Sequence, residues 1–345
     1  MRRRERSELP QTLSLPCYNF AMSAIIAIDI GGTQLRVAVY PHDSTIPINI
    51  QRAPSRGMED GVFDRLTSLI DSVWPDVPVD IICAAVPGPL NPFTGIIIET
   101  PNIPAWTNYP LAEMLTKKYN VPAYIGNDAN LAALGEWLYG AGKGHHDIVY
   151  LTISTGIGGG VISGDKLIEG FRGMATELGH ITVLPKGPVC SCGVRGHLEA
   201  VASGPAIAKY VSEQIAAGRK SSLGSGALTA RVISEAAQQG DELAKEAFVR
   251  AGEFIGQASA NFLHFFNPSI IIFGGGVSLS GDLIMDPIRQ SMGRNVMDPA
   301  YLDGLEVTTA RLGDDAGLLG ALAQAHIKLS EHKHPAPKGE LPWNR

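Results

Sequence analysis

The segment Glu177–Glu199, ELGHITVLPKGPVCSCGVRGHLE, places His180, Cys190, Cys192 and His197 between two carboxylates, in a chain that has four cysteines. Thiolate sulfur and imidazole nitrogen are ligands that zinc favours, and four of them form a closed tetrahedral set, a structural rather than a catalytic coordination. Gly193 and Gly196 allow the chain to double back after the cysteine pair. Glu177 and Glu199 then ride on the same pinned loop, so the ion would shape a site for other chemistry. The plain alternative is two unpaired buried cysteines and two surface histidines, and the spacing favours the metal.

Three glycine loops form a second constellation: Asp29-Ile30-Gly31-Gly32-Thr33, Ser154-Thr155-Gly156-Ile157-Gly158-Gly159-Gly160, and Gly274-Gly275-Gly276. Successive glycines bring backbone N–H groups close to phosphate oxygens. Asp29 adds a carboxylate able to hold Mg²⁺ through water, and Thr33 a hydroxyl for phosphate. None of the loops fits the GxxxxGK[ST] pattern or the dinucleotide fingerprint. Each alone is equally explained as a tight turn; together they favour a nucleotide cleft. Asn127-Asp128 lies where a strand hands over to a helix, and two roles remain open for Asp128. It either caps the helix or accepts the proton of a substrate hydroxyl during phosphoryl transfer. A hydroxyl-rich substrate accounts for Glu177 and Glu199, since carboxylates accept hydrogen bonds from such groups.

These residues need elements to position them. Ala24 to Ile30 and Leu35 to Tyr40 read as a hairpin with a glycine tip, and Ile148 to Ser154 with Val161 to Ser163 repeat the design around the turn Thr155 to Gly160. The repetition predicts two related α/β domains facing each other across a cleft. Val79 to Val86 and Ala123 to Ile125 read as strands, Ala129 to Tyr139 as a helix, and Glu242 to Phe266 as a long helix stopped by Asn267-Pro268. A strand over Ser269 to Phe273 precedes the third glycine loop, and a helix near Asp315 to Ser330 is expected to pack back on the first domain. The expected organisation is an irregular extension over 1–22, a first domain over 23–126 joined by that last helix, a second domain with the metal loop over 127–314, and an irregular tail over 331–345.

At 345 residues, 45% hydrophobic and 18% charged, the chain is long enough for two cores. The net charge of −6 argues against a nucleic-acid-coating surface. No run is long and apolar enough for a membrane span, and the basic start (Arg2, Arg3, Arg4, Arg6) lacks the apolar stretch of a signal peptide. With few cysteines, a cytoplasmic location is expected.

Taken in order, DIGGT (29–33), PGP (87–89), PN (101–102), NDAN (127–130), STGIGGG (154–160), ELGH (177–180), CSCGVRGHLE (190–199) and FGGGV (273–277) resemble the ROK family of sugar kinases and sugar-responsive repressors, most closely its glucokinase branch. The resemblance runs from about Ala24 to Ala325. It implies a two-domain actin-like, hexokinase-like (ribonuclease H-like) fold, with ATP and a hexose in the interdomain cleft, usually as a homodimer. By that resemblance Asp128 is the general base on the sugar 6-hydroxyl, and Asn102, Asn127, Glu177, His180 and Glu199 contact the sugar. His180 serves twice, as zinc ligand and sugar contact. Asp29, Gly31, Gly32, Thr33, Thr155, Gly156 and Gly158 hold the triphosphate and Mg²⁺, and Gly275 lies near the adenosine. His197 stands where the family usually has a third cysteine, Thr176 where it usually has glycine, and Gln34 where it often has lysine. Glucose is the expected substrate; fructose, mannose, N-acetylglucosamine and N-acetylmannosamine are the alternatives. A repressor needs a DNA-binding domain before the first hairpin, and 22 residues precede Ser23.

Overall fold

Alternating burial builds the two sheets of the structure, a computed structural model that describes residues 23–55, 61–100, 103–224 and 226–333. Along β1 (Ala24–Ile30), Ile25 and Ala27 pack on one face while Ile26, Ile28 and Ile30 pack on the other. β1 pairs antiparallel with β2 (Gln34–Pro41), and β2 in turn with β3 (Asn49–Pro54). On its other side β1 runs parallel to β4 (Val79–Val86). A short hairpin of β5 (Leu90–Asn91) and β6 (Ile96–Ile97) follows, and β7 (Ala123–Asn127) joins β4 in parallel, giving the order β3-β2-β1-β4-β7. The second sheet has the same plan. It consists of β8 (Ile148–Ile153), β9 (Ile157–Ser163), β10 (Lys166–Leu167), β11 (Ile270–Gly274) and β12 (Glu306–Thr309), in the order β10-β9-β8-β11-β12. In each sheet a hairpin is extended on one side by parallel strands, so the carboxyl ends of β1, β4 and β7 lie at one edge of the first sheet and those of β8, β11 and β12 at one edge of the second. Ligands of open α/β sheets bind outside such edges.

Helices cover both faces of both sheets. The outer face of the first sheet packs on α1 (Val62–Val73) and α2 (Leu111–Tyr119), through Leu66, Ile70 and Leu115 among others. α3 (Asp128–Tyr139) enters the space between the sheets. The outer face of the second sheet carries α4 (Leu198–Ala202), α5 (Gly204–Ala216), α6 (Ala230–Gln238), α7 (Glu242–Phe266) and α8 (Asp282–Asn295). Finally α9 (Ala316–Lys333) packs against α3, β1 and β4. A helix between two apolar surfaces must bury apolar residues on more than one face, and α3 does, with Leu131, Ala132, Ala133 and Leu134 all buried. α3 and α9 approach so closely that a Cβ on Gly320 would lie 2.1 Å from the Leu131 carbonyl oxygen. The fully buried Glu136 of α3 accepts the N–H groups of Ala141 (2.8 Å), Arg311 (3.0 Å) and Leu312 (2.8 Å), tying α3 to the segment that leads into α9.

The second glycine turn is shorter than the sequence suggests. Gly158, Gly159 and Gly160 belong to β9, opposite Thr152, Leu151 and Tyr150. A Cβ on Gly158 would lie 2.9 Å from Ala129 Cβ, and one on Gly160 2.6 Å from Ala133 Cβ. The missing side chains let α3 lie on the strand, so packing accounts for these glycines, and the turn proper is Ser154 to Gly156. β7 likewise runs two residues further than expected, to Asn127. α7 ends as its sequence predicts, at Asn267 in the left-handed conformation with Pro268 beyond it. Among the described residues no helix is long and apolar enough to cross a membrane.

Candidate active site and metal centre

Asp128 stands at the first position of α3, directly after β7. Its neighbour Asn127 is the cap: Asn127 Oδ1 accepts the N–H of Ala129 at 3.0 Å and of Asn130 at 3.1 Å. Capping by Asn127 leaves Asp128 available for other work. Asp128 Oδ1 accepts the Ala129 N–H at 2.8 Å, and the backbone N–H of Asp128 itself also bonds the carboxylate. Burial pushes its carboxyl up to about 6, opposed by the Ala129 N–H and reinforced by the negative charges of Asp29 and Glu177. The three carboxylates come from three different segments, one at the end of β1, one at the start of α3 and one before the turn Leu178–His180, and the charges of the first and third are felt at Asp128.

Asp29 is held from the opposite strand. Arg36 faces it in the β1–β2 register and donates through Nε and Nη2 to one oxygen, Oδ2. The same guanidinium donates to the Asp314 carbonyl and lies 3.8 Å from Asp315 Oδ1. Burial raises the Asp29 carboxyl, and Arg36 pulls it back down. A Cβ on Gly317 would lie 2.6 Å from the Asp29 carboxyl carbon, so the carboxylate sits against the first turn of α9, where the helix dipole favours negative charge. Sequence reasoning missed Arg36. The signal was present in the hairpin itself, because the pairing that closes the Gly31-Gly32-Thr33 turn puts residue 36 across from residue 29.

The phosphate loops expected from the glycines end β1, β8 and β11. Gly31 N–H bonds the Gln34 carbonyl at 2.8 Å, and Thr33 is exposed at the tip. Ser154 N–H closes on Gly156 O at 2.8 Å with Thr155 exposed between them. Gly275 has φ +82°, and a Cβ there would lie 2.4 Å from the Ile153 carbonyl oxygen, so the third loop folds directly onto the end of β8. Asn102 lies outside the described residues.

The metal constellation closes as its spacing predicts. His180 Nδ1 lies 3.3 Å from His197 Nδ1 and 3.6 Å from Cys190 Sγ, and Cys192 Sγ lies 3.2 Å from His197 Nδ1. All four donor atoms fall within 4.8 Å of one another. Tetrahedral zinc with ordinary Zn–N and Zn–S lengths sets edges of about 3.3 Å between nitrogens and about 3.6 Å between nitrogen and sulfur, so the donor set fits. Gly193 (φ +88°) turns the chain after Cys192, with its N–H on the Cys190 carbonyl at 2.9 Å. Gly196 (φ +77°) leaves no room for a side chain: its Cβ would lie 1.7 Å from the Leu184 carbonyl oxygen. Burial and the neighbouring His180 keep His197 below the usual histidine range, the neutral form a ligand needs.

Glu199 connects this centre to the second glycine loop. Its Oε1 accepts from Ser191 Oγ at 2.8 Å, and its Oε2 from Ile157 N–H at 3.0 Å. A Cβ on Gly156 would lie 2.6 Å from Oε2, so the glycine makes room for this carboxylate. Glu177 is solvent-accessible as a residue, yet the protein around its carboxyl withdraws enough water to raise its pKa, with His180 lowering it and the Glu199 charge raising it further. The sequence-predicted Asp29, Asn127, Asp128, Glu177, His180 and Glu199 therefore line one region, with Gly158 set back in the β9 ladder.

The ROK family model matches residues 25–328. A glucokinase of Thermotoga maritima is 37% identical over 304 residues, covering 86% of this chain and 95% of that protein. An N-acetylmannosamine kinase of Shigella flexneri is 32% identical over 300 residues, covering 86% and 96%. The crystal structure of a ROK family glucokinase from Streptomyces griseus, in complex with glucose and AMPPNP, superposes with a TM-score of 0.75 at 33% identity, covering 87% of this chain and 98% of that one. The two sheets of equal order with helices between them are the two-domain actin-like, hexokinase-like fold expected from the motifs. Matched over most of its length by the family model, the chain belongs to the ROK family.

Proposed function

We propose that this protein is a hexokinase-type kinase that transfers the γ-phosphoryl group of Mg·ATP to the 6-hydroxyl of glucose, with Asp128 as general base. The observation that carries the reading is the placement of Asp128 at the head of α3, beside the Asn127 cap, where burial and the negative charges of Asp29 and Glu177 push its carboxyl up to about 6. A base of that strength is ionised at neutral pH and still accepts a proton readily. As the hydroxyl oxygen bonds to the γ-phosphorus, its proton passes to Asp128, the bond to the β–γ bridging oxygen breaks, and ADP leaves. Asp29 holds Mg·ATP from the first loop with Gly31, Gly32 and Thr33. Thr155 and Gly156 meet the phosphates from the second loop, and Gly275 lies beside the adenosine.

Asn102, Asn127, Glu177, His180 and Glu199 orient the sugar through its hydroxyls. Asn127 does so through its amide N–H₂, since its oxygen is committed to the helix cap. Zinc on His180, Cys190, Cys192 and His197 would fix the ring of His180 and the loop that bears Glu199; it supplies structure and no step of the reaction. The division into domains at 23–126 and 127–314, a homodimeric or higher assembly and a cytoplasmic location accompany this reading.

The N-acetylmannosamine kinase relative supports a second reading, the same reaction on an N-acetylated hexose. Discrimination between sugars rests on one or two pocket contacts. ADP release from Mg·ATP, measured against glucose, mannose, fructose, N-acetylglucosamine and N-acetylmannosamine, decides between them. Turnover on glucose above the others supports the first reading, preference for an N-acetylated sugar supports the second, and no turnover on any of them contradicts both.

A further inference from the structure

Thr176 precedes Glu177 and has φ +66°. Glycine adopts that left-handed conformation freely, whereas a β-branched residue is held there only against steric resistance. Strain of this kind persists where the surroundings enforce it, and it gathers at functional sites. What holds Thr176 is visible. Its Oγ1 lies 2.8 Å from Asn130 Oδ1 and 2.6 Å from the Ala175 carbonyl oxygen. One hydroxyl proton serves one acceptor at a time; with the Asn130 amide turned, its N–H₂ donates to Oγ1 while the hydroxyl serves Ala175.

Asn130 is 5% exposed and belongs to the first turn of α3, two residues beyond Asp128, with its own N–H on the Asn127 cap. The Thr176 carbonyl accepts the Leu178 N–H at 2.7 Å, and the Glu177 carbonyl accepts that of His180 at 3.0 Å. A single side-chain contact therefore links the loop of Glu177 and His180 to the helix turn that bears Asp128.

We propose that Thr176 is a positioning residue: its hydrogen bond to Asn130 sets the sugar-binding Glu177 loop against the first turn of α3, so that Glu177 and Asp128 address one sugar in a fixed relation. The inference rests on the kinase reading above. It assigns the loop a contact that a glycine at this position does not make. Because the bond orders a binding loop and touches no reacting atom, its loss acts on sugar KM rather than on kcat.

Thr176→Val keeps the β-branched shape and the strained φ while deleting the hydroxyl, and Thr176→Gly deletes it while suiting the backbone, so at least one variant folds. Both are expected to raise the sugar KM about ten-fold, with kcat and the ATP KM changed less than about two-fold. Thr176→Ser restores the sugar KM. Asn130→Ala reproduces the increase, and Thr176→Val with Asn130→Ala is no worse than either alone. An unchanged sugar KM in Thr176→Gly, or additive effects in the double variant, overturns the proposal. Should the parent protein turn over no sugar of the panel, the kinase reading fails by itself. Hydrogen exchange at the Leu178 and His180 amides then decides: faster exchange in Thr176→Val and Thr176→Gly than in Thr176→Ser supports the loop contact, and equal exchange overturns it.

Discussion

Arg36 donates to a single oxygen of Asp29, Nε to Oδ2 at 3.0 Å, across the first antiparallel pair of the molecule. Two donors converging on Oδ2 hold that oxygen in place, and Oδ1 takes no hydrogen bond from the guanidinium. Side-chain exposures of 11% for Arg36 and 15% for Asp29 mean that this pair is largely withdrawn from water. The resemblance expected lysine at position 34, where this chain has Gln34, and the cation of this hairpin stands two residues later.

Arg36→Met should therefore strand a largely buried carboxylate. Breaking such a pair from one side costs about 3–5 kcal/mol of stability, to be read from denaturant unfolding. The KM for Mg·ATP should rise several-fold while the sugar KM changes little, because Asp29 belongs to the proposed phosphate side of the cleft. Equal increases in both would place Arg36 in the general fold instead.

The fold was legible in the sequence where chemistry is local. The hairpin around Gly31-Gly32-Thr33, the stop at Asn267-Pro268 and the turn after Cys192 follow from short-range rules about glycine, proline and alternation. The glycines of β9 were misread because their reason is tertiary: the surface of α3 at Ala129 and Ala133 excludes a Cβ, and nothing within the strand announces it. Residue type and spacing pointed to Asp128 and to His180, Cys190, Cys192 and His197, which the fold brings within 4.8 Å of one another. They did not point to Arg36 or to the contact between Thr176 and Asn130, since each depends on which segments the fold brings side by side.

The close packing of α3 on β9 sets a stability test. Gly160→Ala should destabilise the protein by about 2 kcal/mol, because a Cβ would press on Ala133 and on the Asn130 backbone. Gly276→Ala should leave stability within about 0.5 kcal/mol, since a Cβ at Gly276 meets nothing within 4 Å. Thermal and urea unfolding of the two variants side by side make the comparison.

Cys192 is exposed, so replacing it removes a donor without opening the core. The parent protein should hold close to one zinc per chain by elemental analysis, and Cys192→Ser should lose it on dialysis against a chelator. The sugar KM should then rise through loosening of the Glu177 to Glu199 loop. A parent protein free of metal, yet fully active, would remove the ion from the account.

The pH dependence follows from Asp128. Its folded-state carboxyl is raised to about 6, above the ordinary value near 4. Between those values the folded protein keeps a proton that the unfolded chain has released, so stability from this group falls as pH rises through that window. Asp128→Asn should accordingly stabilise the fold above pH 6, on the order of 2 kcal/mol, with little effect near pH 4. In the parent protein kcat/KM for the sugar should drop with a one-proton slope as pH falls through about 6.

The central claim is that Asp128 removes the proton from the attacking hydroxyl, and single-turnover phosphoryl transfer by Asp128→Asn at neutral pH tests it most directly. The account predicts a rate lower by about 10²–10⁴-fold, with glucose affinity by calorimetry within a few-fold of the parent. A rate close to that of the parent protein would contradict it.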